Sequence, residues 1–211
     1  MARRMRGEEF REEQWRRRYD AHIAPINWLV DELRLTPGRG SVPYIAPMYG
    51  GIDAKLLSVL RDPGPKTQEA NGGSGFLCME NNDATAEAIS NLCFDAKIHA
   101  DEIVPWNAYP WYINRAPKAA QLDEGVTPLR RIIDLLPQLR IVMLHGGSAL
   151  DGWNRLTRLY PQIVAERGLR VIATYHTSRQ AFRHRDPLVR EARERNLKES
   201  FQQAAKYLRD A

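Results

Sequence analysis

A chain of 211 residues that is 43% hydrophobic can bury the core of one α/β domain and has little left over for a second. No stretch approaches the roughly 20 apolar residues that cross a bilayer, and the Arg-rich start lacks the apolar segment of a secretory signal, so a cytoplasmic protein without a membrane partner is expected. The formal charge of +5 permits a polyanionic partner, while Cys78 and Cys93 are too few for an all-cysteine zinc site or a four-iron cluster and form no two-Cys redox motif.

In chain order, residues 7–33 read as helix, with Phe10, Trp15, Tyr19, Ile23, Ile26 and Leu33 as candidate core contacts and Pro25 kinking or dividing it. Residues 1–35 are thus expected to be a helical segment packed on a main domain of residues 36–211, the whole forming one compact domain. A loop rich in Gly and Pro spans 36–51, and the first confident strand is 54–61. Asp62 follows it, in a run that changes within one residue from apolar strand to Asp62-Pro63-Gly64-Pro65, chain unable to stay in a sheet. A polar, glycine-rich loop over 63–81 leads to a helix capped by Asn82 or Asp83 and running to about Phe94. The second strand is 102–106. Thr127-Pro128 reads as a capped helix start with a first-turn proline, ending at Pro137. Strand three is 141–144. A helix from about Ser148 carries Leu150, Trp153 and Leu156, Pro161 interrupts or bends its later course, and strand four is 169–174. Asp186-Pro187 opens a last helix to about Leu208.

Four short apolar strands separated by helices imply right-handed crossovers and a parallel sheet covered on both faces, a three-layer α/β/α domain. The C-terminal ends of such strands open on one edge, which places Asp62, Asn107, His145 and His176 on the same rim. No phosphate-binding glycine loop and no nucleophile elbow accompanies them. Asp62, His145 and His176 lack the spacing of a metal motif, so no metal or cofactor is expected. The basic residues Arg179, Arg183 and Arg185 crowd the loop after His176, where a phosphate backbone could be gripped. An Asn side chain reads both a donor and an acceptor on a base edge, Phe76 can stack on a base face, Asp62 can orient water or stabilise a cationic sugar, and His176 can stabilise a departing base. Together these suit cleavage of an N-glycosidic bond.

At these residues the chain resembles the uracil-DNA glycosylase superfamily, over about 60% of its length between Leu56 and Phe182. Arg61-Asp62-Pro63-Gly64 is similar to the first catalytic motif, Gln-Asp-Pro-Tyr or Asn-Pro-Gly; Gly75-Phe76 to the segment supplying the stacking aromatic; Val104-Pro105-Trp106-Asn107 to the second-strand motif; and His176-Thr177-Ser178 to the family's His-Pro-Ser motif. The resemblance implies a four-stranded parallel sheet in order 2-1-3-4 and a monofunctional DNA N-glycosylase of base excision repair. Such an enzyme hydrolyses uracil or a related deaminated or mismatched base from DNA and leaves an abasic site.

By the same resemblance Asp62 and His176 are catalytic, and Gly64, Phe76 and Asn107 bind the base. Ser178, Arg179, Gln180, Arg183 and Arg185 contact DNA, no cluster or cofactor is required, and the protein acts as a monomer. Gly64 stands where the family's usual motif has a bulky Tyr that excludes the thymine methyl, which implies a more open pocket. Two other functions fit the same rim: a noncatalytic nucleic-acid-binding protein of this fold, and a hydrolase of free nucleosides or nucleotides.

Overall fold

The computed structural model describes residues 2–178 and 184–210. Its centre is a parallel sheet of four strands, β2 (Leu56–Leu60), β4 (Ile103–Asn107), β5 (Ile141–His145) and β6 (Arg170–Thr174), in spatial order β4-β2-β5-β6. That is the expected 2-1-3-4 order and the expected α/β/α architecture. Leu56 pairs with Ile103 and Ile141, and Leu60 with Asn107, so strands β2, β4 and β5 end almost level. The central strands are buried except at Leu60, where β2 reaches the edge, and are apolar in nearly every position, as both-face coverage requires.

Helices α4 (Ala119–Asp134) and α5 (Gly147–Leu159) pack on each other, and α5 also packs on β2 and β5. On α4, Leu122, Val126, Leu129 and Ile133 recur at helical spacing and are all buried, giving the stripe that faces the core. Helix α7 (Pro187–Arg209) packs on β5 and β6, and α3 (Ala84–Ala96) packs on α7. The caps expected at Asp83 and Asp186 are present. The Asp83 carboxylate accepts from the Thr85 and Ala86 amides at 2.9 and 3.0 Å, and Asp186 accepts from Leu188 at 2.8 Å.

Two sequence expectations need correction. The expected division of the helix over 7–33 falls before Pro25: α1 (Glu8–Arg16) and α2 (Ala24–Arg34) are separated by residues 17–23, and Pro25 sits in the first turn of the second, where its missing N–H costs nothing. Thr127-Pro128 does not start a helix: Pro128 lies inside α4, whose buried stripe outweighs the hydrogen bond that the proline removes.

A further pair of strands, β1 (Tyr44–Ile45) and β3 (Phe76–Leu77), forms a short parallel ladder that was not foreseen. It is tied to the N-terminal helices. Buried Asn27 of α2 accepts from the Ile45 amide at 2.9 Å and donates to the carbonyls of Arg18 and Ile45 at 2.7 and 3.1 Å, and the Trp111 indole donates to the Leu33 carbonyl at 2.9 Å. Ile26, Leu29, Val30 and Leu33 belong to the same apolar cluster as the sheet. Of the remaining core candidates in this segment, Ile23 is buried, Phe10 and Trp15 are partly buried against the cluster, and Tyr19 is 38% exposed.

Candidate active site

Asn107 and His145 are the last residues of β4 and β5, and Asp62 and His176 lie two residues beyond β2 and β6. All four line one cavity of about 630 Å³, together with Gly64, Asn81, Asn114, Gly146 and Ser178. The rim expected from strand ends alone is therefore a real convergence of side chains from separate crossovers.

The Asp62 side chain is 1% exposed. Its Oδ1 accepts from the Arg61 guanidinium, while Oδ2 is buried and has no hydrogen-bond partner among the described residues. Burial pushes the carboxyl above its ordinary value of 3.8, and the Arg61 cation and the nearby backbone amides of Arg115 and Asn114 offset only part of that. An unpaired carboxylate oxygen beside a cavity can face a developing cation or a water once the groups that shut it from solvent move aside.

His176 accepts a hydrogen bond from the Ser178 amide at Nδ1, 3.0 Å away. An amide can only donate, so Nδ1 is the bare nitrogen and the neutral ring carries its proton on Nε2. Burial, and then the Arg61 cation, push the imidazole down to about 4, so this neutral form prevails at ordinary pH. The result is a neutral N–H donor at the cavity wall. His145 is more deeply buried: desolvation, and then His176, push it down to about 3, and its Nε2 lies 2.9 Å from Ser58 Oγ. Gly146 joins the two histidines. Its φ of +85° with ψ of 176° is a conformation open essentially to glycine alone, and a Cβ there would stand 3.2 Å from that of His176.

Asn107 is 2% exposed, and its amide makes no hydrogen bond among the described residues, which leaves its donor and acceptor for a ligand. Its backbone is clamped. Ala108 and Tyr109 donate to the carbonyls of Leu60 and Arg61 at 2.8 and 3.0 Å, and Gly125 of α4 lies so close that a Cβ there would stand 1.9 Å from the Ala108 oxygen.

Phe76 is a correction. Its ring is fully buried against Trp15, with centroids 4.8 Å apart, and near Tyr44, and it does not line the cavity. Side chains alternate along β3, so the ladder with β1 turns Phe76 to the N-terminal helices and Leu77 to the cavity. Gly64 is exposed at the mouth with φ −79° and ψ 163°, extended backbone that any residue adopts, and a Cβ there would meet nothing within 4 Å. Of the expected DNA contacts, Ser178 lines the cavity and Arg185 is exposed before α7, while Arg179, Gln180 and Arg183 lie outside the described residues.

Sequence reasoning missed Asn81 and Asn114. Asn81 is 2% exposed and donates to the Phe76 carbonyl at 2.8 Å, which turns its Oδ1, without a partner, the other way. Asn114 has φ +51°, a turn conformation that Asn tolerates better than most residues and the one signal that could have drawn attention to it. Among the described residues no group of three or more His, Cys, Asp or Glu side chains could hold a metal ion, and no helix is long and apolar enough to cross a membrane. The sequence matches no family model and no curated protein.

Proposed function

We propose that the protein is a DNA glycosylase that hydrolyses the N-glycosidic bond of uracil or a related deaminated or mismatched base and leaves an abasic site. The observation that carries this reading is the meeting of Asp62, Asn107 and His176 in one cavity from the ends of three strands. In the proposed reaction a flipped-out nucleotide enters the cavity and the Asn107 amide reads its base edge. As the bond from C1′ to the base nitrogen breaks, the bonding pair leaves with the base, and the Nε2–H of neutral His176 donates to the oxygen on which that charge develops. Asp62 faces the cationic sugar, and its Oδ2 orients the water whose oxygen bonds to C1′; the proton released from water ends on the departed base. On this reading the protein acts in the cytoplasm as a monomer, with DNA as its partner and no metal or diffusible cofactor.

The Arg61 guanidinium on Oδ1 of Asp62 favours one competing reading, a nucleic-acid-binding protein of this fold that releases no base. Free-base release from single- and double-stranded oligonucleotides carrying uracil, hypoxanthine or a mismatched thymine separates the two, with Asp62→Asn as control. Release lost in Asp62→Asn supports hydrolysis. Binding without release supports the competitor, and release from free nucleosides only would replace both with a small-molecule hydrolase.

A further inference from the structure

The cavity continues well below the rim. On β2 and β4 the residues of one parity line it in sequence: Leu60, Ser58 and Leu56 on one strand, Asn107, Pro105 and Ile103 on the other. From Leu60 back to Leu56 is about 13 Å at about 3.3 Å per residue, so the cavity follows the full length of the strands. Its opposite wall is α3, through Ile89 and Cys93, and α3 packs in turn on α7. The rim carries most of the polar groups of the site, whereas the inner walls are mostly Leu, Ile, Pro, Met and Cys, with the Cys93 thiol kept neutral by burial; the polar side chains among them, Ser58 and Tyr49, already hydrogen-bond to His145 and to the Met79 amide.

A volume of about 630 Å³ falls within the range of roughly 300–1,000 Å³ that encloses drug-sized molecules, and a lone pyrimidine leaves much of it empty. Empty apolar volume destabilises a fold, and an apolar occupant recovers that loss. At the mouth, Gly64 places no side chain over the entrance.

We propose that the base this site takes carries an apolar hydrocarbon appendage, and that the appendage lies in the inner channel between α3 and the sheet. The inference rests on the base-excision reading, which fixes the orientation: with the glycosidic bond held between Asp62 and His176, the C4 and C5 edge of a pyrimidine passes Asn107 and points down the channel. The substrate class is a pyrimidine enlarged at that edge by a short alkyl or alkynyl chain. Uracil, which lacks the chain, is the weaker ligand.

The test uses the full chain and two readouts. One is base release from duplexes carrying deoxyuridine or its 5-methyl, 5-propynyl or 5-hexynyl derivative opposite the same partner. The other is equilibrium binding of the four free bases. Each added buried carbon is expected to tighten binding about fourfold, and Ile89→Trp, which fills the channel, should lower the hexynyl-to-uracil ratio at least tenfold in both readouts. Cys93→Phe obstructs the same channel and serves if the first variant does not fold. Uracil handled as well as or better than the hexynyl base, or a ratio indifferent to both fillings, overturns the appendage while leaving base excision standing. Failure to bind or release any of the four, uracil included, overturns the base-excision reading and this inference with it.

Discussion

Gly125→Ala tests how the fold holds Asn107 in place without touching a group that meets substrate. A Cβ at residue 125 would stand 1.9 Å from the Ala108 carbonyl oxygen, so helix α4 and the turn after β4 must part by about 1.5 Å to reach the 3.4 Å of ordinary contact. Both atoms belong to backbone, and neither can rotate away as a flexible side chain would. Overpacking of this kind costs about 1–3 kcal/mol, and replacing a helical glycine returns up to about 1 kcal/mol. A net loss of about 1–2 kcal/mol lowers Tm by about 2–8 °C in a chain of this length.

Activity should fall further than stability. A displacement of about 1 Å at a positioning group is enough for a loss of about a hundredfold, and the turn being pushed begins at the residue after Asn107. Urea and thermal melts measure the first effect, and free-base release from a uracil-containing duplex well below the melting temperature measures the second. Gly147→Ala is the stability control, because its Cβ meets nothing within 4 Å and the substitution should stabilise the start of α5 by about 0.5–1 kcal/mol. A Gly125→Ala protein as stable and as active as the parent would show that the contact between α4 and this turn does not position the site.

Three further outcomes are expected. Because burial raises the Asp62 pKa in the folded state, ionising it opposes folding; Asp62→Asn should therefore be more stable than the parent at pH 7, with the gain fading as pH falls through the raised folded pKa toward the unfolded value of 3.8, which paired urea melts across pH measure. For His176 and His145 the sign is opposite: both pKa values are depressed on folding, to about 4 and about 3, so the unfolded chain binds protons first and stability falls as pH drops below about 6.5, a loss that His145→Gln should reduce, and ring titration by NMR should find neither histidine protonating near pH 6.5. Gly64→Tyr is compatible with the backbone there and should narrow the mouth, lowering thymine release from a mismatch more than uracil release; an unchanged ratio would mean that another residue sets the width of the entrance.

The sheet was readable because each of its strands is a short apolar run followed by residues that cannot extend it, and because Asp83 and Asp186 announce their helices. The rim was readable for the same reason, since strand ends of a parallel sheet converge whatever the sequence distance between them. Phe76 was misread because the side that a two-residue strand shows to the cavity is set by its partner at Tyr44 and Ile45, in a loop that carries no strand pattern. Pro128 was misread because a local rule about proline gave way to a stripe of tertiary contacts. The inner channel was out of reach, since its width depends on how far α7 holds α3 from the sheet.

The order in which the strands enter the sheet also governs when this protein can begin to work. Asp62 follows β2, the first strand of the central sheet in the chain, and His176 follows β6, which comes last and pairs only with β5. Parallel pairings over long separations close slowly. A chain emerging from the ribosome thus presents Asp62 long before His176 arrives, and on the base-excision reading the site is incomplete until the edge strand docks.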